Sequence, residues 1–103
     1  MKTIKHFVDG QKFSGSSKRV GMVFNPATGE QSSNVNLANS EDLNEAVDSA
    51  KKAYEPWSNT TPIQRARVIF KFKELIEKNS EELTKIIVSE HGKVYEDAKG
   101  SLI

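Results

Sequence analysis

The sequence predicts a mixed α/β chain, strands first and helices after. Three observations carry that reading. Residues 1–38 hold short β-branched and apolar runs broken by turn residues. From position 40 the apolar residues recur at helical spacing instead. Helix-start signals then stand at Ser40, at Thr61-Pro62 and at Ser80. The expected layout is two β-hairpins over 1–38 followed by three to four helices over 39–103.

In "KHFVDGQKF", Asp9-Gly10 separates two short runs. Both residues tolerate positive φ, the requirement of a two-residue hairpin turn. "SGSSK" (14–18) reads as a flexible loop and "RVGMVF" (19–24) as a strand. "NPATGE" turns the chain, with Pro26 presetting φ at the second turn position and Gly29 free to adopt the left-handed conformation. The next run alternates weakly, with Val35 and Leu37 on one face.

Ser40 reads as an N-cap, with Glu41 and Asp42 at the positive end of the helix dipole. Leu43, Ala46, Val47, Ala50, Ala53, Tyr54 and Trp57 form the apolar stripe, and Pro56 is expected to stop the helix near Tyr54. Thr61 caps a second helix, Pro62 takes its first position, and the helix runs to about Lys78. Its apolar residues fall in two sets. Val68, Ile69, Phe72, Leu75 and Ile76 form one; Ile63, Ala66 and Phe70 lie well round the cylinder from it. Such a helix suits contact on two sides. Ser80 is expected to cap a third helix with Leu83, Ile86 and Ile87 buried, Gly92 to end it, and His91 to sit beside its last carbonyls. A fourth pattern, with Tyr95, Ala98 and Leu102 on one face, is still running at Ile103, so the reading frame is expected to continue.

Composition excludes several functions. The 103 residues carry 15 basic and 14 acidic side chains, so no net field attracts nucleic acid or an anionic membrane. There is no cysteine, hence no disulfide, thiolate metal site or cysteine nucleophile. No secretory leader or membrane-length apolar run is present, and a cytoplasmic protein is the expectation. Asn59-Thr60-Thr61 matches a glycosylation triplet incidentally.

The motifs that resemble active sites resolve into scaffold. Ser89-Glu90-His91 has the residue types of a hydrolytic triad, but consecutive helical residues point ~100° apart and cannot face one another. Ser49-Ala50-Lys51-Lys52 lacks the partners of a Ser-x-x-Lys site. His6 and His91 are too isolated for zinc, and no glycine-rich phosphate loop occurs. "RARVIFKFK" (65–73) mixes cations with Phe70 and Phe72, which read as core phenylalanines beside a polar face of Arg67, Lys71, Glu74 and Lys78, with Glu74 and Lys78 as an i,i+4 pair. Glu90 lies on the apolar stripe of its helix. Either the stripe reaches the surface there, or the carboxylate is bonded within a larger assembly.

Taken in order, "FNPATGE" (24–30), the Ser40 helix ending in "PW", "TPIQRARV" and "EHGK" resemble the N-terminal segment of the aldehyde dehydrogenase superfamily. "RARVIFKFKELIE" with "SEHGKVYEDAKG" most resembles its CoA-acylating methylmalonate- and malonate-semialdehyde branch. The resemblance implies that residues 1–103 form the outer layer of an α/β NAD-binding domain, in incomplete form. It implies NAD and CoA as cofactors of the complete enzyme, loss of CO2 from the acyl group, the rest of the dehydrogenase chain as partner, and a homo-oligomer. It transfers no catalytic, cofactor-binding or metal residue to this chain, because the family's catalytic and nucleotide-binding parts lie downstream. Two other readings remain: a stand-alone interaction module, and a basic-helix nucleic-acid binder that the charge balance disfavours.

Overall fold

The computed structural model describes residues 1–103. Its elements are β1 (Lys2–Ile4), β2 (His6–Val8), β3 (Gln11–Phe13), β4 (Val20–Phe24), β5 (Gln31–Asn36), α1 (Ser40–Ser58), α2 (Pro62–Lys78), α3 (Ser80–His91) and α4 (Tyr95–Gly100). The mixed α/β reading holds, with two hairpins and four helices. The chain forms two compact units, Met1–Val23 with Gln31–Thr60 and Phe24–Glu30 with Thr61–Ile103.

In the first unit, β2 and β3 pair antiparallel, His6 opposite Phe13 and Val8 opposite Gln11. Asp9 (φ 53°) and Gly10 (φ 72°) make the turn as their sequence requires. The second hairpin, β4–β5, is closed at one end by Leu37 N donating to Arg19 O (3.0 Å) and at the other by Asn25 N donating to Glu30 O (2.8 Å). A Cβ at Gly21 would stand 3.3 Å from Val35 and 3.5 Å from Leu37, so these two side chains share one face. A third strand joins this sheet, an addition to the two expected hairpins. β1 pairs parallel to β5, with Lys2 opposite Ser33 and Ile4 opposite Val35. A three-residue strand with a distant partner leaves no local pattern to read.

Two expectations for α1 are corrected. Its N-cap is Asn39 rather than Ser40: the Asn39 side chain accepts from Asp42 N (2.9 Å), and Asp42 accepts in return from Asn39 N (3.1 Å). Pro56 does not stop the helix near Tyr54; it lies inside, and the helix ends at Ser58. A proline there removes a single N–H with barely one turn to follow. The freed end is closed by Asn59 N donating to Glu55 O and by the Thr60 hydroxyl donating to Trp57 O.

In the second unit, α2 begins as expected at the Thr61 cap, reciprocated by Gln64, with Pro62 first. The α3 cap is Asn79, with no side-chain bond, rather than Ser80. Ser80 instead gives its carbonyl to the Thr84 hydroxyl at 2.6 Å. That bond satisfies Thr84, which is fully buried; of the expected stripe, Leu83 and Ile87 are half-buried and Ile86 is exposed. Gly92 ends α3 with φ 80°, its N–H on Val88 O. α2 packs on α3, and α3 on α4.

The buried residues are Ala98, Ser33, Asp42 and Thr84, so a single apolar side chain is fully enclosed. The apolar stripe of α1 is largely open, with Leu43, Val47, Tyr54 and Trp57 all exposed.

Candidate functional site

The most highly built polar group is the carboxylate of Asp42, in the first turn of α1. Oδ1 accepts from Ser16 N at 2.7 Å and from the Ser16 hydroxyl at 3.3 Å, and Oδ2 accepts from Asn39 N. Asn39 Nδ2 donates to the Ser16 hydroxyl at 2.9 Å, and that hydroxyl also reaches Glu41 at 3.1 Å. The backbone N–H of Ser16, aided by those of Asn39 and Ser17 and against the effect of burial, holds the Asp42 carboxyl below its ordinary value. Gly15 crosses directly over this carboxylate with φ 77°. The loop expected to be flexible is therefore bonded to α1 at Ser16. The sequence marks Asp42 only as a charge suited to the positive end of the helix dipole. The signals that could have found its role are Asn39-x-x-Asp42 as a capping box and the glycine in "SGSS".

An open depression of about 940 Å³ lies beside this node, between the β2–β3 hairpin and α1. Asp9, Glu41, Asp42, Glu45 and Asp48 line it, with Lys52 the one cation. Such a wall repels the pyrophosphate of a dinucleotide. The N-termini of α1 and α2 are capped by side chains, α1 by Asn39 and Asp42, α2 by Thr61 and Gln64. The acidic lining of this depression does not fit NAD, and no reaction step is assigned to it.

In the second unit the two motifs "NPATGE" and "EHGK" meet. The Asn25 side chain accepts from Ala27 N (2.9 Å), Gly29 N donates to Asn25 O (2.8 Å), and Gly29 has φ 74°. The turn so formed places Pro26 against Gly92, where an added Cβ would stand 3.1 Å from Pro26 Cγ. Gly92 thus meets two demands at once, the left-handed cap of α3 and the close approach of Pro26. Lys93 donates to the Ser101 hydroxyl at 3.2 Å, linking the end of α3 to the end of α4.

The remaining candidates are dispersed. The Ser89 hydroxyl donates to Ile86 O, and Glu90 and His91 are exposed, so the triad residues form no relay. No group of three or more His, Asp or Glu is arranged to hold a metal. The expected Glu74–Lys78 pair is replaced by Lys71–Glu74 (3.4 Å) and Lys73–Glu77 (3.6 Å). Phe70 and Phe72, read as core, are exposed within these residues. Glu90 ends its stripe at the surface of this chain. No helix is long and apolar enough to cross a membrane.

Comparison with known proteins assigns this arrangement. Residues 13–103 match the model of the aldehyde dehydrogenase family, and the chain belongs to that family. It is similar to the malonate-semialdehyde dehydrogenase of Pseudomonas aeruginosa, 41% identical over 99% of this chain and 20% of that protein. Its structure is similar to that of a Sinorhizobium meliloti protein assigned as a methylmalonate-semialdehyde dehydrogenase and solved with NAD. That pair shares 48% identity and a TM-score of 0.94, covering 97% of this chain and 20% of the other. The methylmalonate-semialdehyde dehydrogenase of Oceanimonas doudoroffii is 43% identical with a TM-score of 0.94, over 99% of this chain and 21% of that one. The chain spans about a fifth of the length of the curated relatives it matches.

Proposed function

We propose that residues 1–103 are the N-terminal part of the NAD-binding domain of a CoA-acylating (methyl)malonate-semialdehyde dehydrogenase. The observation that carries this is the 41% identity to a malonate-semialdehyde dehydrogenase over 99% of the chain, supported by the S. meliloti structure, which holds NAD. In the complete protein a semialdehyde is oxidised to an acyl-CoA with loss of CO2, and NAD accepts the hydride. Residues 1–103 supply scaffold and no catalytic, cofactor-binding or metal group. The chain alone is inactive, since it has no cysteine to form a thioester. The rest of a dehydrogenase chain is its partner, and the complete protein is a cytoplasmic homo-oligomer.

The test is NADH formation from malonate semialdehyde, NAD and CoA. The complete protein should form NADH and acetyl-CoA together, and residues 1–103 neither. A CoA-independent release of free acid by the complete protein contradicts the acylating assignment. Turnover by the purified chain above a buffer control contradicts its scaffold role. The exposed apolar faces of α1 and α2 also suit a second reading, a non-enzymatic interaction module. Co-purification of the chain with an intact dehydrogenase favours that reading.

A further inference from the structure

Asp9-Gly10 is the only place in the chain where an Asp or Asn precedes a glycine. It forms the tip of the β2–β3 hairpin, and both residues are exposed. Neither the Asp9 carboxylate nor the Gly10 N–H has a hydrogen-bond or ion-pair partner. A Cβ added at Gly10 would meet nothing within 4 Å, so no neighbouring group crowds the tip. The other aspartates lack this combination. Asp42 is buried, and the N–H that follows it, on Leu43, donates to Asn39 O. The N–H after Asp97, on Ala98, donates to Val94 O, and Asp48 lies inside α1. The hairpin is also weakly held. Its strands are three residues each and pair with no other strand, and Phe7 is 74% exposed. A two-stranded sheet of this size is marginal in water, so the tip opens while the helices stay folded.

We propose that Asp9-Gly10 is a modification site, at which the chain isomerises to isoaspartate through a succinimide. In the opened turn the Gly10 nitrogen attacks Asp9 Cγ. An N–Cγ bond forms, the amide proton and the carboxyl OH leave together as water, and a five-membered ring closes. Gly10 offers the least hindered nitrogen for this attack, having no side chain. Water then opens the ring at either carbonyl. Opening at Cγ restores aspartate. Opening at the α-carbonyl leaves the main chain running through Cγ, with the α-carboxylate free and the total mass unchanged. No oxidant or reductant takes part. The product carries an extra methylene in the main chain at the tip, where a two-residue turn has no room for it. Val8 then loses its register opposite Gln11, and the freed α-carboxylate is a substrate for isoaspartate-specific methyl transfer.

The experiment ages the complete protein in neutral buffer at body temperature over weeks. Isoaspartate is labelled by an isoaspartate-specific methyltransferase with a labelled methyl donor, and the label is placed by peptide mapping. It should accumulate with time in the peptide that holds Asp9, with those of Asp42, Asp48 and Asp97 at background. Asp9→Glu, whose ring would need six members, should lose the label. Asp9→Asn keeps the turn, releases ammonia in place of water, and should label several times faster. The labelled fraction should keep its helical dichroism and exchange the amides of Val8 and Gln11 faster. No label at Asp9, over a period in which a free peptide of residues 6–13 converts, overturns the proposal. Label shared among the aspartates, label retained in Asp9→Glu, or no gain in Asp9→Asn also overturns it. So does label confined to protein that has lost its helical dichroism, since the site would then belong to the unfolded chain.

Discussion

The Cβ that any residue but glycine would carry at position 15 falls 2.7 Å from Oδ2 of Asp42. Gly15 therefore lies over the carboxylate at a distance that only glycine allows, at a φ of 77° that disfavours other residues. Gly15→Ala should cost about 1–2 kcal/mol from the left-handed backbone alone, and more if the carboxylate must move. Amide hydrogen exchange at Ser16 and Asp42 reads the loss directly. Undiminished protection at both amides in the alanine variant would show that the loop is not held by this contact.

Asp42 carries the pH dependence of the same node. Its carboxyl lies below the ordinary 3.8 when folded, chiefly through the Ser16 N–H. Its contribution to stability is therefore complete above the unfolded value and is lost as pH falls through the lower folded one. Titration of the Asp42 carboxyl carbon by NMR should give a midpoint under 3.8. Asp42→Asn should remove the acid-side loss attributable to this group. A midpoint at or above 3.8 contradicts the assignment.

The junction of the two family motifs is tested at Gly92. Gly92→Ala meets a left-handed backbone and a Cβ 3.1 Å from Pro26 Cγ, for an expected loss of about 1–2 kcal/mol. Pro26→Gly should relieve the steric part and leave the backbone part. A double-mutant cycle on urea unfolding of the complete protein separates them. A coupling of zero would mean that the two motifs do not bear on each other. Lys93→Ala removes only an exposed bond to Ser101, and should change stability by no more than about 0.5 kcal/mol and leave the single-turnover rate of the complete enzyme intact.

What was legible in the sequence was what local chemistry determines. Asp9-Gly10 can hardly be anything but a hairpin turn, Thr61-Pro62 announces a helix, and Gly92 after an apolar stripe announces its end. The misreadings share a different origin. β1 is decided by its distant partner β5 and Asp42 by a loop remote in sequence, and Thr84, which the apolar pattern does not mark, is enclosed with its hydroxyl bonded to Ser80 O. The stop expected near Tyr54 follows from proline's restriction of the residue before it, whereas the helix continues through Pro56 and the side chains of Ser58 and Thr60 close its end. The local motifs fail on their own geometry and spacing, as consecutive Ser89, Glu90 and His91 on a helix do, and the family resemblance adds no site residue to this chain.

The central claim is that residues 1–103 are part of a larger dehydrogenase fold and do not enclose a core of their own. Thermal unfolding with dye binding on a monodisperse sample of the chain tests it most directly. One fully buried apolar residue and open faces on α1 and α2 predict helical far-UV dichroism, a broad transition of weak cooperativity, and dye bound to apolar surface below it. A sharp two-state transition in a monomer that binds no dye would contradict the claim and identify the chain as an autonomous domain.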